Sequence, residues 1–301
     1  MIIPVSGRLD FKALLSKHKA FNQYLIIDYK ITKQGYICIL LTSKIPERIR
    51  GMFTPVVSHS HYIAFVLQVD WVNGDVLDES MIDFGVCKPN IHYIDQFDDG
   101  FLLLGARTRS GFKNALITDM HGQTVSELYL GDAIQDCMVN NQDEIITSYF
   151  DEGVFGDGPG TAGIIRWSKT GEVLWDAAKY EIADCYAMNL DHEDKLWFCY
   201  YTDFALVKTD FKSETVYHPD IFGASSFLFQ QSQQYILFDN GYRKRSTFSA
   251  LQWKGYTLQK EKTATQFTWN DQVISPVQNC FRGSKALLVD EDDAIYFTDW
   301  V

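Results

Sequence analysis

No stretch of 18 or more apolar residues occurs in this chain, so no transmembrane helix is expected. The six cysteines, Cys38, Cys87, Cys137, Cys185, Cys199 and Cys280, are scattered and form no Cys-x-x-Cys pair. That spacing argues against a redox motif or a compact zinc site, and buried thiols are expected instead. The opening Met1-Ile2-Ile3-Pro4-Val5-Ser6-Gly7-Arg8 lacks the basic start and long apolar run of a signal peptide, which places the chain in the cytoplasm. There is no nucleophile elbow, phosphate loop or His-Glu-x-x-His motif, so no catalytic class is announced and no cofactor is expected. Basic residues are scarce over one long stretch. Residues 61–160 carry 4 Lys/Arg against 17 Asp/Glu, whereas residues 1–60 carry 9 against 3. An acidic region of that size repels phosphate backbones and attracts a basic protein or a cation, so direct nucleic-acid binding is not expected.

What the chain has in excess is aromatic residues, 21 Phe, 16 Tyr and 7 Trp, which suit half-buried pleated surfaces and lean towards sheet. Two segments 99 residues apart share one pattern. Leu190-Asp191-His192-Glu193-Asp194-Lys195-Leu196-Trp197-Phe198 matches Val289-Asp290-Glu291-Asp292-Asp293-Ala294-Ile295-Tyr296-Phe297, an acidic turn followed by an apolar, aromatic strand. Similar strands start at Tyr36, Phe101, Ile145, Leu196, Tyr235 and Ile295, and most are continuously apolar, as for strands buried on both faces. Hairpin signals follow most of them, as in Ile164–Trp175 and Val69–Val76. Two hairpins per unit make a four-stranded antiparallel sheet.

Six such sheets predict an all-β, six-bladed β-propeller in one domain, residues 1–301. The last unit runs out of chain after Phe297, so the N-terminal segment (residues 1–23) is expected to close the ring, Ile2-Ile3-Pro4-Val5 supplying a strand. Residues 10–21 have the spacing of one short amphipathic helix.

The largest departure from the repeat is Tyr149-Phe150-Asp151-Glu152-Gly153-Val154-Phe155-Gly156-Asp157-Gly158-Pro159-Gly160-Thr161. Long loops in compact domains often carry function. Asp151, Glu152, Phe155 and Asp157 are therefore taken as partner contacts, with Asp132 and Asp136 as rim charges. Calcium binding by Asp151, Glu152 and Asp157 is the alternative use of the same loop. Asp136-Cys137 and Asp184-Cys185 precede similar strands, where carboxylates either bond turn amides or serve as bases. His59-Ser60-His61 would put two imidazoles on one face of a strand, a pair suited to metal, although no third ligand is near in sequence. Arg243-Lys244-Arg245 is a short basic cluster.

The turn-and-strand units resemble β-propellers of the WD-repeat and quinoprotein-like kinds from about residue 24 onwards. Thr170-Gly171-Glu172-Val173-Leu174-Trp175 is similar to the quinoprotein repeat motif, and Trp175-Asp176 to the WD dipeptide. In physical character the chain also resembles the immunity proteins of bacterial toxin systems. That resemblance implies a non-enzymatic scaffold that neutralises a basic partner, in the specific case a nuclease toxin. The rival expectation is a metal-dependent hydrolase or lactonase with its site at the mouth of the channel, carboxylates on the ion and His92 as base.

Overall fold

The computed structural model describes residues 1–49, 52–54, 59–241, 247–261 and 263–301. Among the described residues it is an all-β propeller, with seven blades where the sequence pattern predicts six. Strands Leu25–Ile31, Ile37–Thr42, Ser60–Val69 and Val76–Cys87 form the first blade. Tyr93–Gln96, Gly100–Leu104, Ala115–Asp119 and Thr124–Leu128 form the second, and Ile134–Val139, Ile145–Tyr149, Ile164–Trp167 and Val173–Asp176 the third. Asp184–Leu190, Leu196–Tyr201, Leu206–Thr209 and Glu214–Tyr217 make the fourth. Phe227–Phe229, Tyr235–Asp239, Phe248–Lys254 and Thr257–Lys260 make the fifth. The sixth has three strands, Gln266–Trp269 and Gln272–Val273 with Ile2–Pro4. The seventh combines Gln278–Arg282, Lys285–Val289 and Ala294–Asp299 with Gly7–Asp10.

The miscount of blades has a physical cause. In both matched segments the leading aspartate folds the turn the same way. Asp191 Oδ1 accepts from the Glu193 and Lys195 amides, and Asp290 Oδ1 from those of Asp292 and Ala294, each at 3.0 Å. Each second oxygen takes a ring donor six residues on, Trp197 Nε1 at 2.8 Å and Tyr296 Oη at 3.0 Å. Asp194 and Asp293 carry φ of 60° and 62°, the left-handed conformation that Asp tolerates. The first turn, however, joins strands one and two of its blade, and the second joins strands two and three. The repeat is a repeat of turns, indifferent to position within a blade. The sixth blade leaves no mark in the sequence pattern because its own strands have four and two residues and no apolar run.

The N-terminal segment serves two blades. Ile2–Pro4 pairs with Gln266–Trp269 in parallel, and Gly7–Asp10 pairs with Ala294–Asp299 antiparallel. The strand completing the last blade is thus Gly7–Asp10, with Ile2–Pro4 lodged in the blade before it. The expected helix is shorter than its pattern, Phe11–Ser16 plus a 3-10 turn at Lys19–Phe21, with Phe11 and Leu14 buried and Asp10 as N-cap.

The chain divides into two compact units. One comprises Ala20–Gln68 and Asp78–Cys185, the other Met1–Lys19, Val69–Leu77 and Tyr186–Val301. In the first, alternate residues of Gly100–Leu104 enter different cores: Phe101 and Leu103 join Leu40, Ile94 and Phe84, while Leu102 and Leu104 join Ile145, Tyr149 and Trp167. In the second, Leu237 packs with Leu228, Phe267 and Leu288, and Ile236 and Phe238 pack with Trp197 and Leu251. Two buried faces per strand explain the unbroken apolar runs. Fourth strands such as Thr124–Leu128 and Thr257–Lys260 lie mostly exposed.

Carboxylates, Asp95 fully buried and Asp28 half-buried, stitch first strands together where sheet pairing ends. Asp28 Oδ2 accepts from the Ile94 amide at 2.9 Å, and Asp95 Oδ2 from the Val139 amide at 2.7 Å. A first strand has a sheet partner on one side only, so side chains satisfy the other edge. Five of the six cysteines are buried and Cys280 is half-buried. No described helix is long and apolar enough to cross a membrane.

Candidate functional site

The connection between the second and third strands of the third blade runs from Phe150 to Gly163. Its base is pinned. The Phe150 amide donates to the Ala133 carbonyl at 3.0 Å, and the buried Tyr149 hydroxyl bonds the Leu130 carbonyl and Thr147. Gly153 packs so closely that a side chain there would lie 2.7 Å from the Asp132 carbonyl oxygen. Asp151–Val154 forms one helical turn and Pro159–Ala162 a 3-10 turn. Between them Phe155, Gly156 and Asp157 stand in solvent, and the Phe155 side chain is 76% exposed.

The six residues singled out from sequence fall into three groups. Asp132 and Glu152 converge on Arg107. The guanidinium holds Asp132 through Nε–Oδ1 at 3.0 Å and Nη2–Oδ2 at 3.2 Å, and Glu152 through Nη1–Oε2 at 2.6 Å. It also lies 5.6 Å from the Phe150 ring centroid. Asp132 further accepts from the Thr108 amide at 2.7 Å. Asp136 sits apart, its Oδ1 held by Lys30 Nζ at 2.8 Å and by its neighbour's amide, Cys137, at 2.7 Å. Asp151, Phe155 and Asp157 are exposed, as is Glu152, and Asp151 Oδ1 accepts from the Glu152 amide. Asp132 and Glu152 thus share the one positive charge of Arg107, Asp136 is paired with Lys30, and Asp151, Phe155 and Asp157 stand outside these pairs.

Asp184 belongs with this group in space. Burial first, and the Asp151 charge second, push its carboxyl up to about 7. Its Oδ1 is buried with no hydrogen-bond partner among the described residues. A carboxyl raised in the folded state contributes stability that is complete below the unfolded value near 4 and is lost as pH rises towards 7. Asp184→Asn is therefore expected to be more stable relative to the natural protein at pH 8 than at pH 5. The differential is about 1 kcal/mol once solvent screening is allowed for. Urea unfolding of both proteins at the two pH values measures it, and an unchanged difference would refute the shift.

His92 does not suit the base role. Its Nδ1 accepts from the Ala106 amide at 2.9 Å, and burial, with Arg48 adding to it, lowers its pKa to about 3. His61 is engaged as well, through Nδ1 to the Tyr24 hydroxyl at 3.0 Å and Nε2 to Asp83 at 3.1 Å, whereas His59 is exposed outside the strand. Among the described residues no three His, Cys, Asp or Glu side chains are grouped to hold a metal ion. Arg243-Lys244-Arg245 lies outside the described residues.

Two cavities were not foreseen. In the second unit a cavity of about 470 Å³ is walled by Trp197, Tyr217 and Trp253. The Trp197 and Tyr217 rings stack at 5.7 Å, and Lys208 Nζ lies 4.8 Å from the Trp197 centroid and 3.3 Å from Asp191. Its aromatics were visible in the strands, but ring convergence across two blades is a tertiary fact. In the first unit a cavity of about 670 Å³ is lined by the connection between the second and third strands of the second blade, including Arg109, Phe112 and Lys113.

No family model matches this sequence, and no curated protein matches it. Solved structures match it in fold alone. A chain in the crystal structure of the Mitotic Checkpoint Complex superposes with a TM-score of 0.51 at 8% identity, covering 89% of this chain and 85% of its own. Hsv2 of Kluyveromyces lactis gives 0.51 at 9%, over 92% of this chain and 74% of its own. YCF48 bound to D1 peptide gives 0.50 at 8%, over 92% and 93%. These neighbours support the propeller and offer no support for a likeness to immunity proteins.

Proposed function

We propose that the protein is a non-enzymatic protein-binding scaffold and that the Phe150–Gly163 connection is its contact surface, offered to a basic partner. The observation that carries this reading is Phe155, a large aromatic ring held in water on a backbone fixed at both ends. An exposed aromatic on a pre-ordered loop is the usual form of an interface anchor, because little entropy is lost when it docks. Asp151 and Asp157 flank it, and the surrounding sequence is strongly acidic, which speeds encounter with a positively charged surface. Propeller neighbours are found in a checkpoint complex and with a bound peptide, in keeping with the general role. Neutralisation of a basic toxin is the finer form of the proposal, and it rests on charge.

The test is affinity capture from the native cell with the natural protein and with Phe155→Ala and Asp151→Lys/Asp157→Lys variants as bait. A stoichiometric basic protein is expected with the natural bait. Phe155→Ala should weaken it about 30-fold, the size of an interface hot spot near 2 kcal/mol. The charge reversal should weaken it further, and Phe155→Ala should leave the melting temperature unchanged because its side chain is exposed. Equal capture by the variants would show that another face binds.

A further inference from the structure

All four Lys and Arg residues between positions 61 and 160, Lys88, Arg107, Arg109 and Lys113, line the same cavity of about 670 Å³. Seventeen carboxylates occupy that stretch, and one of them, Glu127, lines the cavity. Scattered at random among so many acids, four cations would pair off across the surface. Here only Arg107 is committed, to Asp132 and Glu152. Lys88, Arg109 and Lys113 are exposed and make no ion pair with any described residue. The three cations share the lining with one carboxylate, Glu127, so the cavity carries an excess of positive charge that an anion would relieve.

The frame around them is rigid. Asn114, fully buried, donates to the Gly105 carbonyl at 2.8 Å, closing the ends of the loop that carries Arg109 and Lys113. The Thr108 hydroxyl donates to the Phe112 carbonyl at 2.9 Å across the loop, and the Thr108 amide is fixed on Asp132. The rest of the lining is apolar: Leu116 forms a buried wall, Pro89 adjoins it, and the Phe112 ring is 65% exposed. A volume of this size fits a small molecule or one bulky group.

We propose that this cavity binds a small organic anion, a phosphate or carboxylate group on an apolar body, with Lys88, Arg109 and Lys113 around the charged group and Phe112 and Leu116 against the apolar part. The site is separate from Phe155 and stands or falls independently of the scaffold reading.

Calorimetric titration of the full chain tests it, with phenyl phosphate as the probe and inorganic phosphate and benzylamine beside it. Phenyl phosphate is expected to bind at one site, more tightly than inorganic phosphate, and to weaken with added salt, while benzylamine gives no heat. Lys88→Ala, Arg109→Ala and Lys113→Ala should each weaken it about two- to fivefold, the range of single exposed charge contacts, and the triple variant should abolish it. Phe112→Ala should weaken phenyl phosphate and leave inorganic phosphate unchanged. Should the triple variant misfold, Arg109→Gln with Lys113→Gln replaces it. The proposal is overturned by no heat with phenyl phosphate, by an affinity indifferent to the three cations, or by equal binding of benzylamine. Equal binding of the two phosphates, untouched by Phe112→Ala, overturns the organic part.

Discussion

Replacing Asn114 by leucine is expected to destabilise the protein by about 3–6 kcal/mol, because buried polar groups left without partners cost about 1–3 kcal/mol each. The buried Asn114 side chain makes three backbone bonds. Nδ2 donates to the Gly105 carbonyl at 2.8 Å and the Gly131 carbonyl at 2.9 Å, and Oδ1 accepts from the Leu130 amide at 3.0 Å. Leucine fills the space and satisfies none of them. The loss has a local signature too. Gly105 opens the loop bearing Arg107 and Arg109, and Gly131 precedes Asp132, so the Arg107–Asp132 pair loses its frame. Urea unfolding gives the global figure, and hydrogen exchange at the Leu130 amide reports the local one. A change under about 1 kcal/mol with Leu130 still protected would mean that the three groups find other partners.

Gly74→Ala is the second large effect, about 3 kcal/mol, the sum of left-handed strain on a side chain and a backbone collision. Gly74 has φ +82°, and an added Cβ would sit 1.9 Å from the Ser6 carbonyl oxygen and 2.7 Å from Gly7 Cα. The hairpin tip Val69–Leu77 and the N-terminal segment approach there backbone to backbone. Trp71 beside it packs edge-on against Phe297 at 5.7 Å. Neither main chain yields without disturbing Gly7–Asp10 in the last blade. Gly85→Ala is the control, since Gly85 has φ +68° and nothing within 4 Å of the added carbon. It should lose only about 1 kcal/mol, the conformational part alone. Equal losses in the two variants, measured by thermal or urea unfolding, would show that the contact with Ser6 contributes nothing.

Much of the fold was legible. The runs starting near Tyr36, Phe101, Ile145, Leu196 and Tyr235 are all second strands of blades, buried on both faces. The sixth run, Ile295-Tyr296-Phe297, is a third strand, because the Asp290 turn looks the same wherever it closes a hairpin. The long loop was legible as an interruption of the repeat. Which of its acids is ion-paired was not, since Arg107 lies more than 40 residues before Glu152 in sequence and meets it only in space. The cationic cavity left a trace, the confinement of every Lys and Arg of residues 61–160 to positions 88–113. A charge count by segment hides such clustering, because it averages sign over length.

By itself the sequence determined the local terms: strand-forming runs, the aspartate turns, the hairpin glycines and an acidic balance. These depend on side chains a few residues apart, and their period is written in the order of residues. Only the tertiary structure decided the number of blades, the parallel seat of Ile2–Pro4, the ion pairing of Asp132, Glu152 and Asp136, and the convergence of Lys88, Arg109 and Lys113. Each of these is set by which distant segments pack together, where burial and charge pairing act through space and leave no period in the chain.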